Sequence, residues 1–205
     1  MGQGDLLLSL VRRWISACEQ HEYCQLRSVL DIFKTQGHPR FARIIDVQNV
    51  AKNLRLLEVD EIPADARYMT LSHCWGDPEQ KPLTLTLDTL TAFKISIPWT
   101  DLPKIFADTI IFTRNMEVRY LWIDSLCIIQ DYADDWATQS SVMCEVYSGS
   151  YLNLVATGVA DSRGGLFSFR DERSIQPLRV FFRPSKAPSS GDDAVHYYDV
   201  LDPSA

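Results

Sequence analysis

The chain has 205 residues, 46% of them hydrophobic and 23% charged, which suits one globular domain with appendages. A formal net charge of −7 with no dense basic stripe argues against a phosphate-backbone binder, so nucleic acid is not an expected partner. No apolar run reaches the roughly 18–20 residues of a membrane span, and no signal-peptide pattern opens the chain. Five cysteines form no even framework, so a cytoplasmic, reducing setting is expected.

In chain order, Leu6, Leu7, Leu10, Val11, Trp14, Ile15 and Cys18 recur at helical spacing and predict an amphipathic helix over 5–18. Cys18, His21 and Cys24 follow one another like metal ligands. A structural zinc needs four ligands and only His38 is near enough in sequence, so a packed helix end is the stronger reading and no metal is expected. Residues 25–41, with Gly37 and Pro39, read as an irregular connection. Two short β-like runs come next, Arg43–Val47 and Leu54–Val59. A strand of about six residues from Arg67 then runs into the turn Gly76-Asp77-Pro78. Residues 79–99 read as an exposed loop with a short helix near Leu87–Phe93. Leu102, Ile105, Phe106, Thr109, Ile110 and Thr113 share one helix face, with Thr100 or Asp101 as cap and Pro103 in the first turn.

The run Val118–Asp131 begins as a strand of the kind buried on both faces. Ligands of open α/β sheets collect beyond the carboxyl ends of strands, which puts Asp124, Ser125 and Asp131 at or near a rim. The plainer alternative is that Asp124 and Ser125 cap a turn. Asp134 or Asp135 then caps a helix predicted to run to Tyr147, with Trp136, Met143, Val146 and Tyr147 as its apolar stripe. Gln139 lies on that stripe, and Glu145 is expected on the solvent side. Tyr151–Ala156 reads as another buried strand, Leu178–Phe182 as a further one, and 184–193 as a linker. Gly164 and Gly165 permit close backbone approach without making a phosphate loop by themselves. Cys127 beside His73 is weighed as a thiol nucleophile, but its apolar run points to a buried, inert thiol.

The motifs Tyr68-x-x-Leu71-Ser72-x-Cys74-Trp75-Gly76, Leu102-Pro103-x-x-Phe106-x-Asp108, Thr113-Arg114 and Tyr120–Asp131 follow one another in order. Asp135-Trp136, Met143, Val146-Tyr147, Ala156-Thr157 and Asp161-Ser162-x-x-Gly165-Leu166-Phe167 continue the series. Together they resemble the HET domain of fungal heterokaryon-incompatibility proteins, and the resemblance covers about residues 10–167, including Trp14, Cys18, His21 and Cys24. It implies a cytoplasmic module that triggers cell death when genetically different cells fuse. HET domains are also similar to TIR domains. That implies a TIR-like, flavodoxin-like fold: an open, mostly parallel sheet flanked by helices, here with an N-terminal helix and extra strands. The expected layout is an N-terminal helical extension over 1–40, the HET domain over 41–170, and a C-terminal extension over 171–205 cut from a longer chain.

Some TIR domains cleave the nicotinamide–ribose bond of NAD with a helix glutamate close after a tryptophan, so the resemblance implies NAD as substrate rather than as a held cofactor. The implied catalytic positions are Gln139 and Asp124, and the implied ligand contacts are Ser72, His73, Trp75, Gly76, Ser125, Asp131 and Trp136. This chain departs from the family pattern at Asp135-Trp136-Ala137-Thr138-Gln139, where an amide stands at the glutamate position. Two origins fit the amide: a natural copy that is weakened or purely signalling, and a deliberate Glu→Gln exchange that silences a toxic protein. The alternative function is therefore a non-enzymatic signalling module that self-associates or is brought together by a regulatory partner.

Overall fold

The computed structural model describes residues 3–21, 41–47, 54–77, 82–167, 178–182 and 196–200. The chain divides into two units, residues 1–166 and 167–205. In the first, five short strands form one sheet: β1 (Arg43–Asp46), β2 (Arg55–Glu58), β3 (Tyr68–Ser72), β4 (Tyr120–Ile123) and β5 (Leu152–Val155). Their order is β2-β1-β4-β3-β5. β3 runs parallel to both β4 and β5, whereas β1 pairs antiparallel with β4 and with β2. The predicted open α/β sheet is thus present, with a three-stranded parallel core. The extra strands form an antiparallel flank, because the short stretch between β1 and β2 cannot make the long crossover that parallel pairing needs.

Register explains why β3 and β4 are apolar throughout. Tyr68 and Thr70 stand level with Tyr120 and Trp122, and Met69 and Leu71 with Leu121 and Ile123. Alternate residues point to opposite faces, and every one of these eight is buried, so both faces are covered. Two helices show how. Tyr147, in α6 (Met143–Ser148), packs edge-on to Trp122 at 5.5 Å, and the Tyr68 hydroxyl donates to Val146 O at 2.8 Å. On the opposite parity, His73 packs edge-on to Phe106 of α3 (Lys104–Asn115) at 5.0 Å.

The remaining helices depart from expectation in informative ways. In α1 (Gln3–Glu19), Leu8, Val11 and Ile15 pack on the core, while Leu6, Leu7 and Trp14 are exposed. Helix α2 (Leu87–Ile95) is closed by a reciprocal capping box between Thr86 and Thr89. For α3 neither Thr100 nor Asp101 is the cap: Pro103 holds that position, and Trp99–Asp101 form a separate 3-10 turn. After β4 the chain turns at once into α4, a single helical turn from Asp124 to Cys127.

The predicted long helix to Tyr147 is two helices, α5 (Ala133–Ser141) and α6, broken at Val142. Tyr132 is the cap of α5, while Asp134 and Asp135 sit in its first turn. Because angular arithmetic does not carry across that break, Glu145 is half-buried rather than solvent-facing. β5 is not buried on both sides either; Asn153 and Val155 are exposed, since β5 is the last strand of the sheet.

In the second unit, β6 (Leu178–Phe182) pairs antiparallel with β7 (His196–Val200), a partner the sequence reading lacked. Cys24, His38 and the predicted linker 184–193 lie outside the described residues. Among the described residues no His/Cys/Asp/Glu cluster suits a metal, and no helix is long and apolar enough to cross a membrane.

Candidate functional site

The three parallel strands lie in the order β4-β3-β5, second-first-third along the chain. The connection out of β3 goes to one side and the connection into β5 goes to the other. Such a reversal leaves a crevice beyond the carboxyl ends of the two strands that flank it, here β3 and β5. Three segments border that rim: the loop after β3 (73–77), the turn α4 after β4, and the loop after β5 (156–166).

Asp124 is the centre of the first two. It follows β4 directly, and its Oδ1 accepts from the Ser125 backbone N–H at 2.7 Å. Its Oδ2 accepts from the Trp75 indole N–H at 2.9 Å, so the indole and the carboxylate tie the β3 loop to the end of β4. His73 Nδ1 stands 3.7 Å from Asp124 Oδ1, too far for a hydrogen bond. The His73 ring is stacked on Trp75 at 6.4 Å, its side chain is 0% exposed, and neither ring nitrogen has a hydrogen-bond partner. Burial holds this imidazole below its ordinary pKa, with the Asp124 charge pulling the other way. The Ser125 hydroxyl is likewise buried with no partner. Burial foremost, then the charges of Asp124 and Cys127, push the Tyr147 phenol up to about 12.

The loop after β5 closes on the same place. Gly76 takes φ +78, and a side chain there would bring its Cβ to 2.5 Å from Asp161 Cβ, so glycine is required by conformation and space together. Ser162 O accepts from Ile105 N at 3.3 Å, which supplies the start of α3 with the acceptor its own cap does not provide. Asp108 Oδ2 accepts from Leu166 N at 3.0 Å and from Lys104 Nζ at 2.6 Å, and a side chain at Gly165 would collide with both Lys104 and Asp108. Of the Gly164-Gly165 pair, Gly165 makes its close approach to α3, whereas a side chain at Gly164 would meet Val159 of its own loop. Asp108, which Gly165 approaches, and Asp161, which Gly76 approaches, were overlooked as site residues.

Of the expected residues, Ser72, His73, Trp75, Gly76, Asp124 and Ser125 therefore gather at one rim. The other three make their contacts elsewhere or stand exposed. Asp131 is exposed and accepts from Leu87 N at 2.9 Å, closing the turn before α2. Trp136 is 54% exposed, so it is not part of an inward stripe. Gln139 is inward as predicted, 5% exposed, and its Oε1 accepts from Ala42 N at 2.8 Å, just before β1. Beside it lies a buried ion pair. Asp135 Oδ2 takes Arg43 Nη2 and the Ile129 N–H, and Arg43 Nε donates to Cys127 O at 3.0 Å. Cys127 is buried, and burial pushes its thiol up to about 12, which leaves it inert. Asp135 and Gln139 thus clamp α5 and α4 onto β1. A charged residue opening a buried strand, Arg43, was the signal for that clamp.

An α/β module with its polar groups gathered at the carboxyl rim is the class this geometry defines. Residues 68–199 match the family model described as Heterokaryon incompatibility protein (HET), and the chain belongs to that family. The match begins at β3, later than the resemblance read from Trp14, and runs through β6 to Asp199. Membership carries a role in heterokaryon incompatibility and its cell death. No curated protein and no solved structure gave a match.

Proposed function

We propose that this chain is a cytoplasmic cell-death effector whose carboxyl rim binds NAD or a related nucleotide and cleaves the nicotinamide–ribose bond, in the manner of TIR domains. The observation that carries the reading is Asp124, a carboxylate at the end of β4, one strand over from the β3–β5 reversal, oriented by an indole and a backbone N–H and still partly open to solvent. A fixed negative charge there suits positive charge developing on ribose as nicotinamide departs. Trp75 offers an aromatic face and Ser125 an uncommitted hydroxyl beside it. In this reading Asp124 is the reacting carboxylate, and Gln139 holds β1. Incubating the concentrated protein with NAD is expected to release nicotinamide, and Asp124→Asn is expected to lower the rate by a hundredfold or more, about 2.7 kcal/mol of barrier. Absence of release at every protein concentration sinks the catalytic reading.

A second reading has its own support. The side chain at the glutamate position is a neutral amide committed to Ala42, which suits a signalling module acting by self-association or through a regulatory partner. Equal killing of fungal cells by wild type and Asp124→Asn would favour it.

A further inference from the structure

Among the described residues, two apolar faces of the first unit are exposed. On α1, Leu6 (65% exposed), Leu7 and Trp14 form one arc, with Leu10 half-buried between them. At 100° per residue, Arg13 flanks this arc beside Leu6, and Arg13 is exposed. The second face lies where the turn after β4 meets α2. Leu87, Tyr132 and Trp136 are all exposed there. Asp131 joins them by accepting from Leu87 N, and Trp136 N donates to Tyr132 O in the first turn of α5. This face is acidic: Asp88, Asp131 and Asp134 are exposed around it, and no ion pair among the described residues neutralises them.

We propose that the acidic aromatic face of one copy receives the α1 face of a second copy. The charges are complementary, with Arg13 against the Asp88–Asp131–Asp134 rim, and each side supplies a tryptophan of the kind that anchors interfaces. Position decides the kind of assembly. α1 is tied to the amino end of β4, where Arg12 Nη2 donates to Asn115 O at 2.6 Å and pairs with Glu117. The acidic face follows the carboxyl end of the same strand. The two faces sit at opposite ends of β4, so one molecule cannot satisfy both by itself. The contact is head-to-tail, and head-to-tail contacts build rings or open filaments rather than closed two-fold dimers. It stands on these surfaces and on no chemistry at the rim. It specifies the contact that the signalling reading requires.

The test is sedimentation of the full chain and of two variants, Trp14→Glu on α1 and Trp136→Lys on the acidic face, both at exposed positions and checked for folding by circular dichroism. Wild type is expected to grow past a dimer as its concentration rises to about the millimolar range reached by tethering. Each variant alone is expected to stay monomeric. Their equimolar mixture is expected to stop at a dimer, because only one intact pair of faces remains. Arg13→Glu, a milder change, is expected to weaken assembly and to be rescued by mixing with Asp134→Arg. A monomeric wild type, assembly by either variant alone, or a mixture that stays monomeric overturns the proposal. Nicotinamide release reads the rim chemistry separately, so failure of one leaves the other standing.

Discussion

At residue scale, Gln139 and His73 carry opposite kinds of buried polarity. The Gln139 carbonyl oxygen satisfies Ala42 N in a place with almost no water. Gln139→Leu strands that donor, and a loss of about 1–3 kcal/mol in urea unfolding is expected. Gln139→Glu keeps the acceptor but buries a carboxylate, so it too is expected to unfold at lower urea and to gain no nicotinamide release over wild type. His73 has no partner to satisfy it, and burial keeps it neutral. Its folded pKa lies below the ordinary 6.5, so the unfolded chain takes up the proton first as pH falls. Stability is expected to hold above pH 6.5 and to decline below it until the folded-state pKa is reached. His73→Phe should flatten that limb of the stability–pH curve, and an unchanged limb would show that His73 is not its source.

At the scale of elements, the chain's periodicity made most strands and helices legible, because burial on one or two faces leaves a spacing in the sequence. Arg43, Tyr68, Tyr120 and Leu178 each open strands close to where pattern alone put them. What pattern could not show was where neighbours run out. Trp14 and Trp136 both look inward on a helical wheel, yet both are exposed, and among the described residues no element covers either. The break at Val142 was hidden because Met143, Val146 and Tyr147 keep the apolar spacing across it. The rim was half legible: Asp124 and Ser125 could be placed from strand geometry, but their union with Trp75 and His73 depends on β3 lying beside β4. Of the Arg43–Asp135 clamp only half was legible: a charge opening a buried strand calls for a partner, but nothing in sequence points to one 92 residues away. Removing one partner of so buried a pair strands the other charge, so Asp135→Ala is expected to cost about 3–5 kcal/mol in unfolding. Gly76→Ala should also destabilise, by about 1–3 kcal/mol, because it adds strain at φ +78 to the collision with Asp161.

Over the whole first unit, the parallel core and the clamp on β1 divide the labour. β1, α5 and Gln139 hold the frame, while the loops after β3, β4 and β5 converge where a doubly wound sheet places its ligand. Family membership sets the outcome, cell death in incompatibility, and the rim is where we propose its chemistry lies. The central claim is that this rim, through Asp124, holds a nucleotide, and calorimetric titration with ADP-ribose tests it most directly. Wild type and Gln139→Leu are expected to bind with similar affinity, and Asp124→Asn to lose binding at least tenfold, about 1.4 kcal/mol. No heat of binding from wild type, or loss in Gln139→Leu while Asp124→Asn binds normally, would contradict the account.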